Sequence, residues 1–270
     1  MTGEQGALDL DHWTLLGAAA LVLVNGVISA ALKLQLEKQL LFASIRTVVQ
    51  LTLLGLILVP VFDDPQPWKV ALIVVAMFII ASVETVRRLK HQAPNLHLIT
   101  GVSIVLGAGA TSFYGVAALI DADPWWDPRY FIPLVGMMIG NILIGITLGL
   151  DRALEELSKG AAKIEAMLAR GATWWEAARP TATAAVRTGM LPILNAMTVV
   201  GLVTIPGMMT GQIVGGTSPA LAARYQILVM FLIAAAVALG TVTSVLWTLR
   251  TCFDDQHRLR SERIRLRKPS

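Results

Sequence analysis

Long apolar runs separated by short polar punctuation dominate the chain. A helix needs roughly 18 or more mostly apolar residues to cross a bilayer. Seven runs meet that length: Trp13–Leu32, Leu40–Pro60, Trp68–Val86, Leu98–Ile120, Tyr130–Leu150, Thr188–Gly215 and Tyr225–Leu249. The expected fold is all-α, a polytopic membrane protein with seven spans. Residues 1–250 form one transmembrane domain and 251–270 a basic tail. The largest polar interruption runs from Asp151 to Arg187. Inside it Leu154, Leu157, Ala161, Ile164 and Leu168 recur at helical spacing, which fits an amphipathic helix lying on the membrane.

Composition agrees with the pattern. Hydrophobic residues make up 55% of the 270 positions and charged residues 15%, with a mean hydropathy of +0.66. Soluble domains carry about 25% charged residues, so neither a soluble surface nor a disordered chain can be built here. A lone cysteine, Cys252, excludes a disulfide framework.

The net charge of +4 resolves into two sides. Seven spans leave eight flanking segments, and 19 of the 22 Lys and Arg fall on alternate ones. Basic residues stay on the cytoplasmic side. The N-terminus is therefore expected outside, the C-terminus in the cytoplasm, and the protein in the cell's inner membrane. The first residues lack the basic start of a signal peptide. The basic tail is expected to meet anionic lipid or a protein partner rather than nucleic acid.

Two features depart from a plain helix bundle. On the large inner loop, Ala166 and Ala169 permit close approach of another helix, and Gly171 can end or bend the helix that carries them. The stretch Glu165-Ala166-Met167-Leu168-Ala169-Arg170-Gly171-Ala172 resembles the EAA---G motif of ABC-transporter permeases, with Met167 in place of the second alanine. That resemblance implies that the segment is a short coupling helix docking on a separate ATPase, and that Pro192 closes the motif. The sixth run, TGMLPILNAMTVVGLVTIPGMMTGQIVGG, is interrupted by Pro192, Pro206 and Gly207, with a further glycine at Gly201. Backbone groups freed by such breaks must face protein or an aqueous cavity. Gly207, Gly211 and Gly215 share one helix face, as do Gly136 with Gly140 and Gly145 with Gly149. Each ladder fits tight packing or a helix that moves.

The segment Val200–Gly211 with its Pro206-Gly207-Met208-Met209-Thr210-Gly211 element is similar to the FetB family of permeases. So are Ala223–Ile227, Pro133–Asn141 and the Leu36–Arg46 region with Gln50. The resemblance implies half of an ABC exporter related to iron or metal homeostasis: a second copy of the chain, two copies of an ATPase, and ATP with Mg on that partner. An ABC permease for a nucleotide sugar or other small metabolite is the alternative within the class. No Gly-Lys pair occurs in the chain, so a P-loop is absent and no cofactor is expected on it. An ATP-independent channel or secondary carrier would show inverted repeats and midplane ionisable groups, and neither is seen. A membrane enzyme would need the missing His and carboxylate clusters, so no catalytic or metal-ligating set is assigned.

Polar residues inside spans mark candidate sites. The candidate pathway comprises Gln50, Met137, Met138, Asn141, Asn195, Met208 and Met209. For the amides the alternative is an interhelical hydrogen bond, and for the methionines it is flexible core filling. Arg46 and Glu84 approach the same membrane surface on antiparallel neighbours, which predicts a structural ion pair.

Overall fold

The structure, a computed structural model, describes residues 11–267. Residues 1–10 and the last three of the expected tail lie outside the described residues. The helices are α1 (His12–Ala31), α2 (Glu37–Asp63), α3 (Pro67–Arg88), α4 (Leu96–Ile120), α5 (Pro128–Lys159), α6 (Ala161–Ala169), α7 (Trp174–Val199), α8 (Gly207–Val214) and α9 (Pro219–Thr251). Two short strands, β1 (His91–Gln92) and β2 (Arg265–Leu266), pair antiparallel.

Local chemistry sets several starts. Pro67, Pro128 and Pro219 open α3, α5 and α9, where the missing N–H costs nothing. The Asp127 carboxylate accepts from the Arg129 N–H at 2.8 Å and caps α5. Thr173 and Glu176 form a reciprocal capping box at the head of α7. Within α4 the hydrogen bonding widens to π-type turns over Val105–Gly109 and Gly115–Ile120. A wide turn presents backbone to a neighbour. Gly107 lies so close to α9 that a β-carbon there would stand 2.8 Å from the Ala236 carbonyl oxygen.

The core sits among α3, α4, α5, α7 and α9. On α5 the buried face runs Val135, Met138, Ile142, Ile146, Leu150, Leu154 and Leu157, the three- and four-residue spacing of an amphipathic helix. Helices α5 and α7 run antiparallel with backbones nearly touching at Gly145 and Gly189. The α1–α2 hairpin stands at the edge. Only Val61 of α2 is buried, and its exposed face is leucine, isoleucine and valine, a surface that suits acyl chains or another membrane helix.

Six described helices, not seven, are long and apolar enough to cross a membrane: α1 to α5 and α9. The expected continuous span Thr188–Gly215 is replaced by a break. Helix α7 begins at Trp174, fourteen residues earlier, and stops at Val199. The chain turns over Val200–Pro206, and the short α8 follows. The cause is local. Gly201 has a φ of 82°, its N–H bonds back to the Thr204 carbonyl at 2.9 Å, and Pro206 has no N–H to continue a helix. Pro192, by contrast, sits inside α7 without ending it.

Candidate functional site

Two regions combine unusual backbone with accessible side chains. The first is the base of the bundle, where α3, α5 and α9 end and α7 begins. Helix α6 is pinned there by Ile164, its one buried residue, with Met167 and Leu168 half-buried against the core. Glu165, Ala166 and Ala169 face outward and are exposed. The helix ends in a full glycine stop. Gly171, at φ 94°, donates to the Leu168 carbonyl, and the Ala172 N–H reaches the Met167 carbonyl at 3.2 Å. This is the Schellman arrangement, and it requires a residue free to adopt a positive φ. Three residues then lead into the capping box of α7, so α6 is held at short range by the two long helices beside it.

The tail belongs to this base rather than hanging from it. Cys252 and Phe253 are buried, and burial pushes the Cys252 thiol up to about 12. The Trp174 ring stands 6.1 Å from the Phe253 ring, and the Arg250 guanidinium lies over it at 5.5 Å. His257 accepts from the Trp174 N–H through Nδ1 at 3.2 Å. Backbone N–H groups of Arg258 and Gln256 and the Arg258 side chain hold the Asp254 carboxyl at about 2. Arg267 donates to the Val86 and Arg87 carbonyls that end α3. Many of the tail's cationic side chains are thus engaged by carboxylates and carbonyls of the same chain. A cleft of about 430 Å³ separates Glu165, Leu168, Ala169 and Ala172 from the tail turn Gln256–Leu259.

The second region is the break. A cavity of about 670 Å³ lies between the Met197–Pro206 segment with Met209 and the first part of α9, from Ala223 to Phe231. Its lining is apolar apart from Thr204 and Gln226. Gln226 is 7% exposed, and its Oε1 has no hydrogen-bond partner.

The proposed pathway residues do not converge. Met138 is fully buried in the core, Met137 is half-buried, and the Asn141 amide donates back to the Met137 carbonyl at 2.8 Å. Asn195 and Gln50 are exposed on separate helices. Met208 and Met209 lie on α8, and of the whole set Met209 alone lines the cavity. Gln226 and Met230 line it too and lie outside the expected set; Gln226 follows Arg224-Tyr225 and precedes the apolar run of α9. The glycine ladders also divide. Gly145, Gly149 and Gly189 meet neighbouring atoms, whereas Gly207 and Gly211 have open space. At the base, Arg46 Nη2 stands 3.6 Å from one Glu84 oxygen, and Arg88 Nη2 stands 3.3 Å from the other.

A multi-pass bundle with a broken helix and a structured base is the architecture of an integral membrane protein. The chain belongs to the family described as Uncharacterised protein family (UPF0014), which it matches over residues 12–253. It is 33% identical over 262 residues to the UPF0014 membrane protein slr1647 of Synechocystis sp., covering 95% of this chain and 99% of that one. It is 30% identical over 227 residues to Protein ALUMINUM SENSITIVE 3 of Arabidopsis thaliana, covering 84% and 82%. With the probable iron export permease protein FetB of Escherichia coli it shares 28% identity over 242 residues, covering 90% and 92%. No solved structure matches the chain.

Proposed function

We propose that this chain is the permease subunit of an ABC exporter related to metal homeostasis, working as a pair of chains with two copies of a separate ATPase that binds ATP and Mg. The observation that carries this reading is helix α6. Its motif residues Glu165, Ala166 and Ala169 are exposed, Glu165 and Ala169 on the cleft beside the tail turn, while Ile164 and the Gly171 stop hold the helix in place. A small-residue face that is exposed yet rigidly mounted suits a partner that must push on it. The iron-export name of the Escherichia coli relative supports the same assignment. The basic end then faces the cytoplasm, as its Lys and Arg require.

The mechanism is alternating access. Closure of the ATPase pair displaces α6 in the cleft that the tail turn walls. Helices α5 and α7 leave α6 at either end and cross at Gly145 and Gly189, so a tilt at the base is carried to the Val200–Pro206 break. A switch of this kind needs an element with two packings, each favoured by a different bound state. The break, with little packing on Leu202 and Val203, is that element.

Co-expression with the ABC ATPase encoded nearest its gene tests the assignment. The tagged wild-type chain retains the ATPase through purification. Gly171→Asp strains the positive-φ stop, and Ala169→Glu puts a charge on the docking face of an otherwise unchanged helix. Both variants lose the ATPase by more than about tenfold, the factor for about 1.4 kcal/mol, while Ala169→Glu melts with the wild type. Stable retention by both variants overturns the docking role of α6.

A further inference from the structure

On the reading that this chain moves a substrate past its broken helix, the geometry points to the substrate's chemistry: the cavity beside the break binds a neutral, largely apolar organic molecule bearing one hydrogen-bonding group, and not a bare metal ion. Size is the first ground. At about 670 Å³ the cavity falls in the range of small-molecule sites, of which a single ion would fill a small fraction. Charge is the second. Every lining side chain is neutral, and a hard cation entering there would exchange its water for no anionic oxygen. The third is Gln226. The residue lines the cavity and its amide oxygen, turned away from the opening, has no partner; rotated into the cavity the amide would complete a hydrogen bond with a ligand. The thioethers of Met197, Met209 and Met230 come from α7, α8 and α9, and such flexible, polarizable groups reshape around apolar ligands. An iron cargo would therefore pass this point enclosed in a neutral organic complex.

The full chain in phosphatidylcholine nanodiscs can be photolabelled with 4-aminobenzophenone, a neutral aromatic ketone with one amino group. Labelling is expected to saturate and to map by mass spectrometry to Met197, Met209 and Met230. Gln226→Leu should lower it about five- to tenfold, the factor expected for one lost hydrogen bond. Ala223→Phe, which fills the cavity and keeps the amide, should abolish it with the melting midpoint unchanged. Silver(I) and iron(II) salts should leave it unaltered. Labelling that fails to saturate and spreads over α1 and α2, or that is unchanged in both variants, overturns the site. Stoichiometric displacement by silver(I) overturns it in favour of a thioether ion site. ATPase capture by the wild-type chain separates the two readings. Lost saturable labelling in the wild type with capture intact removes the substrate class alone. Intact labelling with no ATPase captured by the wild type removes the permease assignment alone.

Discussion

Two glycine ladders in this chain look alike and behave oppositely. Gly145 on α5 faces Gly189 on α7 in backbone contact, and Gly149, one turn on, faces the Ala185 carbonyl and two side chains of α9; a β-carbon on Gly189 would stand 2.5 Å from the Gly145 carbonyl oxygen. Gly207 and Gly211 on α8 have the same four-residue spacing, and a β-carbon on either would meet nothing within 4 Å. One ladder is a packing seam. The other lies on a short helix with no buried residue, beside a cavity. Spacing sets which residues share a face. It does not say whether anything lies against that face.

The greatest expected difference between the packed and open regions is chemical. Cys252 lies at the foot of the packed bundle, fully buried, with its thiol at about 12. The reactive species is the thiolate, so against an ordinary thiol of pKa about 8.5 its alkylation should be slower by about a thousandfold or more at neutral pH. Burial raises this pKa, so the rate should still climb at pH 9 and above, where a free thiol levels off. A cysteine placed at Gly211, in a Cys252→Ala background, should react at close to the free-thiol rate. Equal rates of N-ethylmaleimide labelling at the two positions would erase the distinction.

Stability gives the next contrast. Gly189→Ala drives a methyl group into backbone, which cannot rotate away, so a loss of about 2–3 kcal/mol is expected. Gly149→Ala meets the Thr241 and Val245 methyl groups at 3.1 and 3.2 Å. These side chains can yield by a few tenths of an ångström, and a loss of about 1 kcal/mol follows. Melting midpoints of the purified chain should rank wild type, Gly149→Ala, Gly189→Ala. A reversed order would mean that the seam is looser than the β-carbon distances imply.

The spans themselves were legible because the bilayer imposes one length on every crossing. The sixth run reads as one continuous span because hydropathy records side chains and not backbone. Val199 to Pro206 is as apolar as the helices around it, and only Gly201 and Pro206 betray the turn. The start of α7 was legible in another way. Thr173 followed by Glu176 is a capping box, but an apolar window centred on the membrane begins at Thr188. Arg46 and Glu84 could be paired on paper because antiparallel neighbours bring equal depths together. Gln226 could not, because a single amide near a helix start has the same sequence signature whether a partner, lipid headgroups or a cavity lies beside it. The fold of the tail was hidden by its charge. Seven basic residues from Arg250 onward point to anionic lipid or a protein partner, yet Arg250, Arg258, Arg260, Arg263 and Arg267 reach carbonyls and carboxylates of the same chain that sequence order scatters from Val86 to Glu262.

The smallest expected effect is the most informative about the open ladder. Gly211→Ala puts a methyl group into free space on a helix, where alanine is favoured over glycine by about 0.5–1 kcal/mol. For the chain by itself, the melting midpoint should therefore hold or rise slightly. Gly207 and Gly211 would then owe nothing to packing within the chain, and their role would lie in what the face meets in the working assembly. That is separable by experiment. If Gly211→Ala keeps its midpoint but lowers substrate-stimulated ATPase activity of the proposed complex with the ATPase, a second surface closes on α8 during the cycle. If both are unchanged, the glycines serve only the flexibility of the short helix. A lowered midpoint in the isolated chain would break the comparison outright, because α8 would then pack as tightly as the α5–α7 seam.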